Sequence, residues 1–316
     1  MMPDRTRILL DVDPGHDDAL AILTAAALPN IELVAVTTVA GNQTLDKTTL
    51  NACRVLALGG IRVPVAMGAD RPLVRRPITA ANIHGESGLD GADLPEPEVA
   101  LDPRPAAQFI VDSVRSRPGE LTLVPTGPLT NIALALRLAP DLVAKVPRIS
   151  LMGGAIGAGN ATASAEFNIL VDPEAADVVF SSGIPITMSG LDVTHQALAD
   201  ESVIGRLAAM ATPVSEAAVG WLRFFGQSYR REEGLAHPPV HDVCAVMAVA
   251  HPEVMETKAL HVVVETRGEH TTGRTVCDLR GIPQRRANAD VAVRLDRTRF
   301  WQIVLDALAT YPARGG

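Results

Sequence analysis

The sequence predicts an α/β protein with a mainly parallel central sheet flanked by helices. Short runs rich in Val, Ile and Leu alternate with longer amphipathic stretches along the chain. The short runs are continuously apolar, which is typical of parallel strands buried on both faces. Each run ends in Gly, Pro, Asp or Asn, residues that terminate strands. In such sheets, polar sites lie beyond the carboxyl ends of the strands, so we expect the functional residues there.

The elements alternate in the order that a Rossmann-like core requires. The predicted strands are Arg7–Val12, Glu32–Val39, Val63–Met67, Leu121–Thr126, Ile149–Met152 and Ile186–Leu191. The predicted helices between them are Asp17–Leu28, Thr44–Leu58, Pro105–Arg115, Thr130–Leu138 and Pro173–Ser181. Residues 200–250 are predicted to be mostly helical, residues 256–278 to form a late strand pair, and Arg297–Ala309 a closing helix. No repeat, linker or break in composition divides the chain, which predicts a single domain over residues 1–316.

Composition excludes several classes of function. The 316 residues carry a formal net charge of −8 and no block of Lys and Arg, which argues against nucleic acid and anionic membranes as partners. The three cysteines are scattered, which fits neither a disulfide framework nor a zinc site. The apolar run near the N-terminus is too short for a signal-peptide core, and no run approaches the length of a membrane span. We therefore expect a cytoplasmic protein.

Four carboxylates lie within eight residues at the first strand-to-helix junction. Asp11 and Asp13 share one face of the predicted strand, and Asp17 and Asp18 begin the next helix. A single Asp here would be explained as a helix cap. Four together repel one another, which either raises their pKa values or requires a cation. Oxygen ligands select a hard ion such as Ca²⁺ or Mg²⁺.

An EF-hand does not explain this cluster. Its loop requires glycine at the sixth place and a bidentate Glu at the twelfth. Counting from Asp11, Gly15 stands at the fifth place and Ile22 at the twelfth. The cluster therefore needs partners from elsewhere in the chain.

Further polar residues follow the other predicted strands. They are Asn42, the segment TGPLTN at 126–131, and Asn160, Glu166 and Asn168 after the glycine pair 153–154. Taken alone, Glu166 and Asn168 are more simply explained as surface residues around a packed Phe167, and Thr130 as a helix cap. Their common position at strand ends is what favours a shared site.

The motifs together resemble those of the nucleoside hydrolases of the inosine–uridine-preferring type. The first is DVDPGHDDA at residues 11–19. The others follow in the family's order over roughly residues 8 to 250: VAGN at 39–42, HGESGL at 84–89, TGPLTN at 126–131, MGG at 152–154, EFN at 166–168, DPEA at 172–175 and HD at 241–242. The resemblance implies an enzyme that uses Ca²⁺ to hydrolyse the N-glycosidic bond of ribonucleosides, giving ribose and free base for nucleoside salvage.

The resemblance also implies roles for individual residues. Asp13, Asp18, the backbone carbonyl of Thr126 and Asp242 would bind Ca²⁺, and Asp13 would also act as the general base. His241 would protonate the leaving base. The implied ribose contacts are Asp17, Asn42, Asn160, Glu166 and Asn168. The implied oligomer is a homodimer or homotetramer.

Four other candidates have less defined roles. Tyr229 lies on a segment that borders the base pocket in the family. His84 lies in a glycine-rich segment that is either a lid over the site or an inert loop. Met152 is a packing residue at a strand end that can also contact ribose, and Asp11 supports the ligands from behind. The remaining histidines are expected to be structural or exposed.

Two other functions compete with this hypothesis. A Mg²⁺-dependent phosphatase with an Asp-x-Asp pair would have Thr or Val two residues after the second Asp, where this chain has Gly15, and would leave Asp242 without a role. A ribose-binding module without catalysis would not need both Asp13 and His241. The preference for purine or pyrimidine bases stays open at this level.

Overall fold

The computed structural model describes residues 5–97, 100–282 and 285–313. The extreme ends of the predicted domain 1–316 therefore lie outside the described residues. The strands are β1 Thr6–Val12, β2 Ile31–Thr38, β3 Val65–Met67, β4 Leu101–Asp102, β5 Leu121–Pro125, β6 Ile149–Met152, β7 Ile186–Ser189, β8 Met255–Leu260, β9 Val262–Val264, β10 Thr275–Cys277 and β11 Ala289–Leu295.

The helices cover both faces of the sheet. The α-helices are α1 His16–Ala27, α2 Leu45–Leu58, α3 Ala81–His84, α4 Ala106–Ser116, α5 Thr130–Leu138, α6 Phe167–Val171, α7 Pro173–Phe180, α8 Leu191–Thr194, α9 Glu201–Met210, α10 Pro213–Glu232, α11 His241–Ala250 and α12 Arg297–Leu308. Two 3-10 helices lie at Pro140–Ala144 and Pro252–Val254.

The central sheet has nine strands in the order β4-β3-β2-β1-β5-β6-β7-β11-β8. Every neighbouring pair is parallel except β11 with β8. The predicted mainly parallel α/β fold is confirmed. Strand β1 is the fourth of the nine, and its carboxyl end is next to those of β2 and β5, so the carboxylates at this end of β1 lie between two neighbouring strand ends.

Strand β1 is buried on both faces, as its continuous apolar sequence predicts. Ile8, Leu10 and Val12 belong to one core cluster, which includes residues of α1, α2, α11 and α12. Leu9 belongs to the second cluster, on the side of α4, α5 and α7. Alternation along the strand therefore directs Asp11 to the same side as Leu9.

The C-terminal third differs from the prediction in its pairing. Residues 256–278 contain three strands rather than a simple pair, because β8 joins the main sheet while β9 pairs with β10 in a separate two-stranded sheet. The partner of β8 is β11, which the sequence pattern did not reveal. The predicted strand Ile186–Leu191 is also shorter, since Gly190 ends it and precedes α8.

Three short helices, α3, α6 and α8, were not predicted, because segments of four or five residues are too short to show a helical period. Among the described residues, no helix is both long enough and apolar enough to cross a bilayer.

Candidate active site

A cavity of about 340 Å³ opens at the carboxyl ends of the central strands. Of the fourteen residues that the sequence singled out, eleven line it: Asp17, Asn42, His84, Thr126, Met152, Asn160, Glu166, Asn168, Tyr229, His241 and Asp242. The other three, Asp11, Asp13 and Asp18, are completely buried. The structure thus brings residues from positions 11 to 242 of the chain to one place.

Three carboxylates form a compact group at the base of the cavity. One side-chain oxygen from each of Asp17, Asp18 and Asp242 lies within 4.8 Å of the others. Burial raises the pKa of Asp17 to about 8, and the nearby charge of Asp18 adds to this effect. The pKa of Asp242 is raised well above its usual value by burial first and then by Asp17 and Asp18. The group is therefore costly to ionise unless a cation neutralises it.

Asp13 lies beside this group and has one free oxygen. Its Oδ2 accepts a hydrogen bond from the backbone N–H of Asn42 at 2.7 Å. Its Oδ1 is buried and has no hydrogen-bond partner in the described part of the chain. Burial, followed by the charge of Asp18, raises the pKa of Asp13 well above its usual value. An unpaired buried carboxylate oxygen is rare and indicates a missing ligand or a chemical role.

Two glycines allow the backbone to come close to Asp13. A Cβ at Gly127 would lie 2.5 Å from Asp13 Oδ1, and a Cβ at Gly41 would overlap Asp13 Oδ2 and the Pro128 ring. Any side chain at these positions would displace the carboxylate. The glycines in VAGN and TGPLTN are therefore explained by close approach to Asp13.

Both carboxylate oxygens of Asp18 accept hydrogen bonds. Thr126 Oγ1 donates to Oδ1 at 2.7 Å, and the backbone N–H of Gly15 donates to Oδ2 at 3.0 Å. Asn42 Nδ2 also donates to Oδ2, at 3.3 Å. Asp18 lies in the first turn of α1, where free backbone N–H groups favour negative charge. These bonds hold the carboxylate in place beneath the cavity.

The donor set fits a hard divalent cation. Asp13, Asp17, Asp18 and Asp242 form no ion pair with a Lys or Arg within the described ranges. Their oxygens, together with the free Asp13 Oδ1, provide the all-oxygen environment that Ca²⁺ and Mg²⁺ prefer. The structure groups Asp17 with Asp18 and Asp242, whereas the resemblance assigned Asp17 to ribose.

Asp11 connects the site to the neighbouring strands. Its Oδ1 accepts hydrogen bonds from Thr37 Oγ1 at 2.6 Å and Asn131 Nδ2 at 2.8 Å. Its backbone carbonyl accepts the N–H of Thr126 at 2.8 Å. Burial raises the pKa of Asp11 to about 7. Its contacts are those of a residue that fixes the β1, β2 and β5 ends relative to one another.

Glu166, Asn168 and Asn160 form another part of the cavity lining. Glu166 and Asn168 are buried, so they are not the surface residues that their sequence context alone suggests. Glu166 accepts the backbone N–H groups of Gly154 and Asn168, each at 2.9 Å, and burial raises its pKa to about 7. Asn168 Nδ2 donates to the Thr126 carbonyl at 2.6 Å. Asn160 accepts the N–H of Phe167 at 3.0 Å.

The hydrogen bonds of Asn168 leave the Thr126 carbonyl oxygen able to accept a further contact. A carbonyl oxygen has two lone pairs, so Thr126 O can accept from Asn168 and still bind a cation. Met152 is 3% exposed, and Asn168 Nδ2 also approaches its carbonyl and its sulfur at 3.3 and 3.4 Å. Met152 is therefore packed at a strand end, as predicted, and its cavity contact is consistent with the second role suggested for it.

An aromatic wall borders the cavity, and four of its five rings, those of His84, Phe225, Tyr229 and His241, line it. We use this name for five rings in sequence of contact: His16, His84, Phe225, Tyr229 and His241. Adjacent centroids lie 5.2, 5.0, 4.7 and 5.7 Å apart. Phe225 and Tyr229 are one helical turn apart on α10, so they face the same side. The glycine-rich segment that holds His84 is thus part of the wall.

His241 has a partner at each ring nitrogen. Its Nε2 lies 2.6 Å from the Tyr229 hydroxyl, and its Nδ1 lies 2.7 Å from Thr194 Oγ1. Burial, with a smaller contribution from His195, holds the pKa of His241 well below its usual value. The neutral ring can donate one of these hydrogen bonds and accept the other. The three side chains form a continuous chain of exchangeable protons.

Two residues of this site were missed by sequence reasoning. Thr194 lies on the unpredicted helix α8. Glu233, just after α10, lines the cavity 3.9 Å from His195, and burial followed by Glu166 raises its pKa to about 7. His16, which was expected to be structural or exposed, is buried against His84.

Comparison with known proteins shows which proteins this chain is similar to. Residues 8–302 match the family model described as inosine-uridine preferring nucleoside hydrolase. The chain is 47% identical to a pyrimidine-specific ribonucleoside hydrolase RihA from Shewanella woodyi, covering 96% of this chain and 98% of the relative. A RihA of the same description from Citrobacter koseri is 46% identical with the same coverage. A purine-preferring ribonucleoside hydrolase from Gardnerella vaginalis superposes with a TM-score of 0.91 at 33% identity, covering 96% and 98% of the two chains.

Proposed function

Since the chain belongs to the inosine-uridine preferring nucleoside hydrolase family, we propose that it hydrolyses pyrimidine ribonucleosides to ribose and free base with the help of Ca²⁺. The observation that carries this proposal is the group of buried carboxylates without cationic side-chain partners, placed directly below a cavity of nucleoside size. The relatives that are 46–48% identical are described as pyrimidine-specific, whereas the purine-preferring structure is 33% identical.

Asp13, Asp18, Asp242 and the Thr126 carbonyl would hold the cation, and the position of Asp17 in the same group makes it a further ligand candidate. Six to eight oxygens surround Ca²⁺ in proteins, so protein atoms leave places for oxygens of water and the ribose diol. When bound, the cation would offset the repulsion among the carboxylates and lower the pKa of a coordinated water.

Asp13 would remove a proton from the attacking water. Its Oδ2 is fixed by the Asn42 N–H, which leaves Oδ1 free to accept that proton. The water oxygen forms a bond to C1′ of the ribose while the C1′–N bond breaks and its electron pair moves to the base. A general base of this kind contributes about 10²–10⁴-fold to the rate.

Positive charge develops on the sugar ring as this bond breaks, as in other glycoside hydrolyses. Glu166, Asn160, Asn168 and Asn42 line the cavity and would grip the ribose hydroxyls. Glu166 and Asn160 are already oriented by backbone N–H donors, and Asn168 by the carbonyl that accepts from its Nδ2, so these groups lose little entropy on binding. A 2′-deoxy substrate would leave one of them unpaired, which a buried site tolerates poorly.

The departing base needs a proton, which the chain of Tyr229, His241 and Thr194 would supply. Both ring nitrogens of His241 are engaged, so the proton would reach the base through the Tyr229 hydroxyl that lines the cavity. His241 in its imidazolium form, protonated on both ring nitrogens, would then replace the hydroxyl proton from Nε2, at 2.6 Å, and return to the neutral ring. In this route His241 remains the proton source that the sequence suggested, with Tyr229 as the contact group.

A substrate panel tests the proposed activity. Uridine, cytidine, inosine and 2′-deoxyuridine are each incubated with the purified protein, and free base and reducing sugar are measured. We expect the two pyrimidine ribonucleosides to be cleaved faster than inosine, and 2′-deoxyuridine to be cleaved least. Release of phosphate from an aryl phosphate without cleavage of any nucleoside would instead support the competing phosphatase hypothesis.

A chelation experiment tests the cation. Exhaustive dialysis against EDTA is expected to abolish cleavage, and titration with Ca²⁺ to restore it. Full activity in protein that contains no metal by elemental measurement would contradict the proposed role of the cation. Restoration by Mg²⁺ but not Ca²⁺ would correct its identity. We further propose a role in nucleoside salvage and a dimeric or tetrameric state, the latter measurable by light scattering.

A further inference from the structure

We propose that Thr275 on β10 and Asp192 on α8 are positioning residues that fix the backbone segment 153–157 and, through it, the carboxylate of Glu166. Neither residue lines the cavity or belongs to a motif that the sequence singled out. The role of Glu166 toward ribose is taken from the proposed function, on which this inference rests.

The hydroxyl of Thr275 binds both backbone groups of Ala155. Its Oγ1 accepts the Ala155 N–H at 2.8 Å and donates to the Ala155 carbonyl at 2.7 Å. A hydroxyl has one proton and two lone pairs, so it makes both bonds at once. Thr275 is 1% exposed and Ala155 3%, and backbone groups buried to this extent need partners. This hydroxyl therefore supplies the contacts that a neighbouring strand would otherwise make.

Gly154 connects this contact to Glu166. The peptide group between Gly154 and Ala155 is held on both sides, because its carbonyl accepts the N–H of Leu191 at 2.9 Å and its N–H donates to Thr275. Gly154 has a φ of +76°, and a Cβ there would lie 2.7 Å from Thr275 Cγ2. Glycine is thus required for Thr275 to approach the segment. In this conformation the Gly154 N–H donates to Glu166 Oε2 at 2.9 Å.

Asp192 holds the next two N–H groups of the segment. Its Oδ2 accepts the N–H of Ile156 at 2.6 Å, and its Oδ1 accepts that of Gly157 at 3.2 Å. Asp192 lies on α8, the helix that also carries Thr194 of the proton chain. One short helix therefore fixes the segment beside the ribose contacts and the end of the proton chain.

The carboxylate of Glu166 depends on this segment for its only link of this kind outside α6 among the described residues. Its Oε1 accepts the N–H of Asn168, and its Oε2 accepts those of Ile169 and Gly154. Asn168 and Ile169 lie in α6, for which Glu166 is the N-cap, so their bonds move with the helix. A shift of the Gly154 N–H would leave the carboxylate free to turn with α6. Misplacement of a binding group by about 1 Å can lower the rate by about 10²-fold.

Hydrogen exchange of the segment tests the anchor without a substrate. Mass spectrometry follows deuterium uptake by peptides that cover residues 153–157 in the wild type, Thr275→Val and Thr275→Ser. Valine has the shape of threonine without the hydroxyl, whereas serine keeps it. We expect uptake about 2- to 10-fold faster in Thr275→Val, the contribution of one neutral hydrogen bond, and wild-type uptake in Thr275→Ser. Equal uptake in the wild type and Thr275→Val overturns the proposal.

A double-mutant cycle tests the connection to Glu166. The ratio kcat/KM for uridine is measured in the wild type, Thr275→Val, Glu166→Gln and the double variant. We expect Thr275→Val to lower kcat/KM by about 10- to 100-fold in the wild type but by less than about 2-fold in Glu166→Gln, where the position of the carboxylate no longer matters. Equal losses in both backgrounds would assign Thr275 to the stability of the fold and overturn the positioning role.

Two further variants complete the cycle. Thr310→Val removes a hydroxyl that donates to the Ala307 carbonyl at 2.7 Å, far from the site in the sequence, and should leave kcat/KM unchanged. Asp192→Asn keeps one acceptor oxygen, so its loss should be smaller than that of Thr275→Val and should also vanish in Glu166→Gln. If Thr275→Val does not fold, the cycle with Asp192→Asn decides. If the wild type cleaves no ribonucleoside, the proposed function fails, whereas hydrogen exchange still decides the anchor.

Discussion

Replacing Asp242 with Asn would test whether the carboxylate group depends on a cation. The oxygens of Asp17, Asp18 and Asp242 lie within 4.8 Å of one another. At an effective dielectric constant of about 20, two full charges at that distance repel by about 3 kcal/mol. Bound protons already relieve part of this, and Asp242 also contributes about 0.3–1 kcal/mol at the start of α11. We therefore expect Asp242→Asn to stabilise the cation-free protein by roughly 2 kcal/mol at pH 8.

The assay is thermal unfolding followed by circular dichroism at pH 8, in EDTA and in excess CaCl₂. With an unfolding entropy of about 2.1 cal/mol/K per residue over 316 residues, a gain of about 2 kcal/mol corresponds to a rise in Tm of about 3 °C in EDTA. In CaCl₂ the variant should lose most of the stabilisation that the wild type gains, since a ligand is missing. The control is Asp177→Asn, an exposed Asp on α7, which should change neither Tm by more than about 1 °C.

The reasoning would be refuted by a variant that is less stable than the wild type in EDTA yet gains the full increment from CaCl₂. Such a result would mean that Asp242 stabilises the fold by ordinary hydrogen bonding and that the cation, if any, binds elsewhere.

Three further outcomes follow from the site. Asp13→Asn should keep the hydrogen bond to the Asn42 N–H but lower kcat for uridine by about 10²–10⁴-fold with little change in Tm, and a loss under tenfold would remove Asp13 from the role of base. Folding raises the pKa of Asp17 to about 8, so burial of this side chain is tolerated below about pH 4 and its stabilising proton is lost as pH rises through 8. The Tm in EDTA should therefore fall between about pH 5 and pH 8.5, and CaCl₂ should reduce this fall. Equal slopes of Tm against pH with and without CaCl₂ would contradict this reasoning. Gly41→Ala should overlap Asp13 and cost about 1–3 kcal/mol in urea unfolding together with most of the activity, and wild-type kinetics would show that the carboxylate can move without consequence.

The order of the main elements was predictable because periodicity is a local property. Continuous apolar runs such as Ile8–Leu10 are buried on both faces, and the helices that follow show their own period. The pairing of β8 with β11 was not predictable in this way. It joins segments about thirty residues apart, and β-strand pairing depends on contacts that no local pattern encodes.

The residues of the candidate site were predictable where they belong to recognisable sequence motifs. The sequence resemblance selected fourteen residues, and eleven of them line one cavity. Thr194 and Glu233 could not be selected, since single Thr and Glu residues outside a motif have no distinguishing pattern. The surface interpretation of Glu166 and Asn168 from local context was wrong, because Glu166 is buried against the Gly154 N–H and Asn168 against the Thr126 carbonyl, which belong to segments distant in the sequence.

The sequence by itself determined the fold class, the family resemblance and the presence of a carboxylate cluster that needs neutralising. Each of these follows from residue types at short spacings. Only the tertiary structure decided that Asp17 joins Asp18 and Asp242, that Asp13 keeps a free oxygen, and that His16 contacts His84. The physical reason is that burial, charge proximity and tautomer are set by which atoms lie within a few ångströms of each other, and those neighbours come from segments up to 225 residues apart in the chain, as with Asp17 and Asp242.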